Sequence, residues 1–225
     1  MNRVRLWMLW AACTIVVVTA SIVWLDRPVC LFLRQLIGHS DFFAKFVDSP
    51  GLFLPLAAIA PLMFVVRRLL RYDPGRFDIA LILSLLSVLL AYALKFPLKF
   101  LFGRTWPHVL INYDIYVFNP FHAGGEFGSF PSGHTAAICA LLSVFWIWYP
   151  KYRAVYAMCV LAAALILLIG NYHFVSDIIA GGFFGVSCGV FANSWWEREK
   201  TRNDVVTLRF LSRWWPSRSR IDPSA

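Results

Sequence analysis

Six stretches of the chain, residues 6–25, 51–66, 77–94, 135–149, 154–172 and 178–195, are apolar and nearly free of charge. Most come close to the ~20 residues that carry an α-helix across a bilayer. In a soluble protein, six such helices would lack the polar face that water requires. The expected fold is therefore all-α: a polytopic membrane protein whose six transmembrane helices form one bundle, in a single domain covering residues 1–225. The stretch at 51–66 is short and holds Pro55 and Pro61, as a buried core helix would, yet Arg67 and Arg68 can snorkel and lengthen it. Composition agrees, since only 15% of residues are charged, against roughly a quarter in soluble domains.

Lys and Arg placement predicts orientation. With the N-terminus cytoplasmic, 15 basic residues fall on the inside and six on the outside. Both termini are then cytoplasmic, and residues 95–134 and His173 lie on the far side, periplasmic in a bacterial inner membrane. The formal charge of +9 expresses this topology and implies no nucleic-acid partner. Arg3 and Arg5 before an apolar run resemble a secretory signal, but the run is long and Trp24-Leu25-Asp26-Arg27 offers no small-residue cleavage site, so a retained first helix is expected. Four cysteines lie in the spans and Cys30 alone in the first outer loop, which leaves no loop pair for a disulfide.

Two loops and a tail complete the organisation. Residues 26–50 mix apolar and polar side chains in a way that suits a helix in the interface plane or a packed loop over the bundle. Residues 108–130 are rich in aromatics, Gly and turn residues, which argues against a long helix; a lid over a headgroup and a simple linker both fit. From about residue 197 to 225 the chain turns polar and basic, and is expected to meet anionic cytoplasmic lipid.

The residues that carry chemistry sit where apolar stretches meet loops. In Pro131-Ser132-Gly133-His134, Ser132 can cap the fourth helix and Gly133 admits a ligand close to the backbone. A helix start of this kind attracts anions through free amides and the dipole, with His134 beside it. An ordinary capped helix with an interfacial histidine explains the tetrapeptide equally well. His173 and Asp177, four apart, share a helical face, and a carboxylate bonded to one ring nitrogen leaves the other free as a nucleophile. Metal ligation by His134, His173 and Asp177 is the competing use, but the closely spaced second ligand of zinc motifs is missing; no metal and no cofactor are expected. Lys95, Lys99 and Arg104 cluster on the outer side against the charge bias, as phosphate-neutralising groups would. Snorkelling is the plainer account and suits Lys95 best.

These residues resemble the type 2 phosphatidic acid phosphatase superfamily. Its pattern is Lys, six residues, Arg-Pro; then Pro-Ser-Gly-His; then Ser-Arg, five residues, His, three residues, Asp. The resemblance implies that Lys99 binds phosphate, that Ser132 and Gly133 cradle it, that His134 is the general acid, and that His173 is a nucleophile forming a phosphohistidine with Asp177 orienting it. Two family arginines are replaced, one by Trp106 and one, with its preceding serine, by Ile166-Leu167. Arg104, two residues from Trp106, is expected to take over one phosphate contact. The implied activity is metal-independent dephosphorylation of a membrane lipid phosphate. A head-group transferase, with a lipid hydroxyl in place of water, and a non-catalytic binder of phosphorylated lipid are the alternatives.

Overall fold

Small residues line the facing sides of three helices and let them form the centre of the bundle. The computed structural model describes residues 3–38, 66 and 75–214. Among these, the helices are α1 (Arg3–Trp24), α2 (Asp26–Ile37), α3 (Arg76–Phe102), α4 (Pro107–Tyr113), α5 (Gly133–Trp148), α6 (Arg153–Ile169) and α7 (Val175–Trp214), with a 3₁₀ turn at Pro150–Tyr152 before α6. No strand longer than an isolated bridge occurs among the described residues. The chain is all-α, as expected.

Helices α3, α5 and α7 share a core of Val88, Ala91, Tyr92, Ala137, Ala140 and Cys188. Glycines at four-residue spacing in α7 bring its backbone onto α5. A methyl group on Gly181 would stand 2.5 Å from the Ser132 carbonyl oxygen, and one on Gly185 2.2 Å from that of Ala136. Such close approach is how helices associate where lipid removes the hydrophobic drive.

Among the described residues, four helices are long and apolar enough to cross a membrane: Val4–Trp24, Arg76–Phe102, Pro150–Ile169 and Val175–Arg202. Only 11% and 6% of the first and third are buried in the protein, against 50% and 44% of the other two, so α1 and α6 offer their apolar surface to lipid. Helix α5, at 16 residues, spans about 24 Å, short of the ~30 Å hydrocarbon core. The predicted span at 51–66 lies outside the described residues except for Val66; of the other five expected spans, four are such helices and the fifth is the shorter α5.

Helix ends differ from expectation in two places. Helix α3 runs eight residues past Leu94, through Pro97, to Phe102. Gly103 ends it at φ 53°, where a side chain would meet the Asn119 carbonyl oxygen at 1.7 Å. Helix α7 continues through the stretch expected as a polar tail, because residues 196–214 contain neither Gly nor Pro to stop it; residues 215–225 lie outside the described residues. The loop at 26–50 does form an amphipathic helix in its first part, α2, but that helix also caps the bundle, with Asp26 and Cys30 buried and Phe32 and Leu36 exposed. The 108–130 segment holds only the short α4 and bridges pairing Arg104 with Phe118 and Thr105 with Phe127.

Candidate active site

The C-terminal ends of α1, α3 and α6 and the N-terminal ends of α5 and α7 meet at one end of the bundle. Backbone bonds knit the loops there. The Gly128 and Ser129 amides donate to the Arg104 carbonyl at 2.7 and 3.1 Å, and the Ser132 amide donates to the Asp177 carbonyl at 3.0 Å. Two segments 45 residues apart in sequence thereby share one hydrogen bond.

Ser132 caps α5 as expected, its Oγ accepting from the Thr135 amide at 3.4 Å and from Thr135 Oγ1 at 3.1 Å. His134, in the first turn, lies with its ring centroid 6.1 Å from that of His173. His173 is buried, and its Nδ1 is 3.4 Å from Asp177 Oδ2, the same oxygen that accepts from the Phe174 amide at 3.0 Å. Burial lowers the proton affinity of His173 below the ordinary histidine value; Asp177 opposes this by hydrogen bond and charge without reversing it, and Lys99 adds to the lowering. The imidazole is therefore held toward its neutral form, with Asp177 beside Nδ1 and a backbone hydrogen bond to Ser129 also on the ring.

The sequence-predicted residues His134, His173, Asp177, Ser132, Gly133 and Lys99 come together. Lys99 Nζ lies 4.7 Å from the centroid of the Trp106 ring, and that ring is 5.3 Å from His173. Thus the indole that replaces a family arginine stands between the lysine and the histidine. Leu167, at the other replaced position, is buried with Ile178 and Tyr172, and its carbonyl accepts from the His173 amide at 3.4 Å. Asn171, in the turn before His173, accepts from Cys30 Sγ at 3.3 Å.

Arg104 corrects the expectation. It does not face the phosphate cradle; its side chain is fully buried and committed to carboxylates. Nη1 donates to Asp177 Oδ1 at 2.5 Å and to Ser176 Oγ at 2.6 Å, while Nη2 donates to Asp26 Oδ2 and Tyr116 Oη, each at 2.6 Å. Its guanidinium stacks 4.3 Å from the Phe174 ring centroid. Burial opposes the charge, but Asp177 and Asp26 outweigh it and raise the pKa further. Both terminal nitrogens are thus committed to carboxylates and hydroxyls, and the buried Nε alone has no hydrogen-bond partner among the described residues.

Sequence reasoning missed Asp26, Tyr116 and Ser176. Asp26 accepts from the Ser176 amide at 2.9 Å and from the Ser176 hydroxyl, and Tyr116 Oη lies 3.0 Å from the Ile22 carbonyl. A carboxylate at the edge of an apolar span is costly unless paired or functional, and that signal was available in the sequence for Asp26 as for Asp177. The four-residue glycine spacing in α7 was a second signal.

Comparison with known proteins agrees with this geometry. A family model described as the PAP2 superfamily matches residues 80–201, more than half of the chain. A lipid A 1-phosphatase of Rhizobium etli is 34% identical over 88 residues, 39% of this chain and 38% of that protein; the chain therefore matches well under half of that relative's length. Among solved structures, a bacterial vanadium-dependent iodoperoxidase superposes with a TM-score of 0.50 at 17% identity, over 75% of this chain and 47% of that one. LpxE of Aquifex aeolicus gives a TM-score of 0.48 at 19% identity, over 72% and 93%.

Proposed function

This chain belongs to the PAP2 superfamily, and on that premise we propose that it is an integral-membrane lipid phosphatase working through a phosphohistidine. The observation that carries the reading is the convergence of His134, His173 and Asp177 around the start of α5, with the histidine rings 6.1 Å apart. A phosphoryl group between the rings has a nucleophile on one side and an acid on the other.

The step balances as follows. Nε2 of His173 attacks phosphorus and the P–O bond to the lipid breaks. The leaving alkoxide takes a proton from His134, so the lipid departs as an alcohol. His134 then accepts a proton from water as its oxygen attacks the phosphohistidine, and inorganic phosphate leaves with His173 restored. Lys99 and the amides at the start of α5 neutralise charge on the transferring group. Asp177 fixes the tautomer of His173 and stabilises the positive ring.

The substrate is a phosphorylated membrane lipid. Lipid A heads the candidates, because the Rhizobium etli relative carries the name lipid A 1-phosphatase. Phosphate release from lipid A, phosphatidate, phosphatidylglycerophosphate and polyprenyl pyrophosphate, in detergent with chelator, tests the reading. His173→Ala should abolish both turnover and the acid-labile phosphorylated protein formed with labelled substrate; undiminished turnover in that variant would end the mechanism.

The 15 to six charge asymmetry supports cytoplasmic termini and a site on the outer face. A reporter enzyme active only outside the cytoplasm should work when fused after Phe118 and fail after Ala225. The opposite pattern would invert the topology.

A further inference from the structure

We propose that Lys95 is a second phosphate-binding cation of this site and that, with Lys99, it stands in for the two arginines the sequence lacks. The proposal rests on reading the site as a phosphatase centre, and it departs from the plain account of Lys95 as a snorkelling side chain.

Position carries the first step. Lys95 and Lys99 lie one turn apart on the same face of α3, because the helix continues to Phe102 instead of stopping at Leu94. A methyl group placed on Gly133 would stand 3.3 Å from Lys95 Cδ and 3.7 Å from its Nζ. A snorkelling lysine carries its ammonium away from the protein toward headgroups. Here the ammonium folds back against the first residue of α5, within the Pro131-Ser132-Gly133-His134 motif.

The surroundings carry the second. Lys95 Nζ lies 3.8 Å from the ring centroid of Tyr92 and 4.9 Å from that of Phe96. Both lysines are half-buried, and among the described residues neither is paired with a carboxylate. A partly desolvated ammonium set against ring faces and a second lysine gains from an anion that both can share. The Ser132, Thr135 and Ala136 amides already donate to Asp177, Ser132 Oγ and the Ser132 carbonyl, so an anion arriving at this helix end meets the Gly133 amide and the two lysines.

Charge balance carries the third. Asp26, Asp177 and Arg104 form a buried group with one net negative charge, since a single guanidinium serves two carboxylates. Lys99 offsets that charge and a protonated His134, the acid of the proposed step, adds one positive charge, which is one short of balancing a phosphate dianion. Lys95 supplies the second. Trp106 and Leu167 supply no charge where the family has arginine, and Arg104 is spent on the carboxylates. The ligand such a pair of point charges favours is a terminal phosphomonoester in its dianionic form, which predominates above a second pKa of about 6.

The test uses the full-length protein in detergent with inorganic phosphate as the probe. Calorimetric titration of phosphate needs no turnover, so it reads Lys95 even if the phosphatase reading is wrong; His173→Ala, which retains the cradle, serves as a second titrand. Lys95→Gln should weaken phosphate binding about tenfold or more, as expected for loss of a charge-assisted contact, and raise KM in the same direction. Lys95→Arg should keep most of the affinity, and Lys151→Gln, at the opposite end of the bundle, should match the wild type. Unfolding temperatures establish that the variants are folded; should Lys95→Gln not fold, Lys95→Met, which keeps the stem, replaces it. Phosphate affinity in the folded neutral variant within twofold of the wild type, including no measurable binding to either, would overturn the proposal. Equal phosphate release by the wild type and His173→Ala would instead bring down the phosphatase reading.

Discussion

Arg104 Nη1 stands 2.5 Å from Asp177 Oδ1, with both side chains wholly shielded from solvent. The other arm of the same guanidinium holds Asp26 at 2.6 Å. The acid that orients the proposed nucleophile is therefore fixed from behind by an arginine that also ties the α1–α2 junction to the start of α7. Arg104 bears on the site through Asp177, its own side chain buried behind that carboxylate.

Arg104→Ala should consequently behave as a folding and positioning variant. Removing the guanidinium leaves two buried carboxylates without a counter-charge, which typically costs about 3–5 kcal/mol. A large drop in unfolding temperature and in kcat is expected, with KM of the remaining active fraction near the wild-type value. Arg104→Lys should recover little, because an ammonium cannot fork to both carboxylates. A wild-type unfolding temperature with a raised KM would instead return Arg104 to the phosphate.

Asp26 makes a sharper test because Asn keeps its shape. The charged groups around His173 are Asp177 from α7, Arg104 behind it, Lys99 from α3 and, across the site, His134 from α5. Asp26 adds a negative charge on the far side of Arg104; Asp26→Asn removes it, so Arg104 acts undivided on Asp177 and His173 binds a proton less readily. His173 already has a proton affinity below the ordinary histidine value of 6.5, and it must be neutral to attack. The acid limb of kcat/KM should thus lie below pH 6.5 in the wild type and move to still lower pH in Asp26→Asn. A limb that stays put, or moves upward, would show that Asp26 has no electrostatic hold on the nucleophile.

The glycines of α7 give a paired experiment. A methyl on Gly185 would come within 2.2 Å of the Ala136 carbonyl oxygen, whereas one on Gly182 meets nothing closer than 3.8 Å. Gly185→Ala must push α7, and with it His173 and Asp177, away from α5, at a cost of about 1–3 kcal/mol for overpacking. Its unfolding temperature and kcat should both fall while Gly182→Ala keeps both. Equal behaviour of the two variants would mean that the close helix contact does not set the site.

The sequence made some of this legible and hid the rest for physical reasons. Ser132 was readable as an N-cap because capping is a local matter of one hydroxyl and the next turn's amides. The His173–Asp177 contact was readable from the spacing of four, although His173 stands in the turn before α7 begins at Val175, so the contact spans the helix start and is not one helical face. Lys99 and Asp177, by contrast, enter one site only through the packing of α3, α5 and α7, which motif spacing implies but does not derive. Arg104 was misread because proximity in sequence to Trp106 says nothing about side-chain direction. The left-handed turn at Gly103 and the bridge to Phe118 send Arg104 inward, toward a carboxylate 78 positions earlier. Asp26 escaped notice because its partners, Arg104 and Ser176, lie 78 and 150 residues away.

Trp106 decides whether this site is a degraded version of the family pattern or a different solution to the same problem. If the tryptophan were merely a lost arginine, Trp106→Arg should raise activity well above the wild type. The geometry argues otherwise: the indole lies against the Lys99 ammonium at 4.7 Å and against His173 at 5.3 Å, so it holds one charged group and shields one face of the other. A cation–π contact of this kind contributes about 0.5–2 kcal/mol. Trp106→Ala should lower kcat/KM by roughly two- to thirtyfold, by the usual relation between free energy and rate, and Trp106→Phe should retain part of it. Trp106→Arg loses both ring contacts and sets a guanidinium beside Lys99, where like charges repel unless phosphate is bound, so its kcat/KM should stay at or below that of the wild type. A tenfold gain in Trp106→Arg would reverse this conclusion and identify position 106 as a missing phosphate ligand.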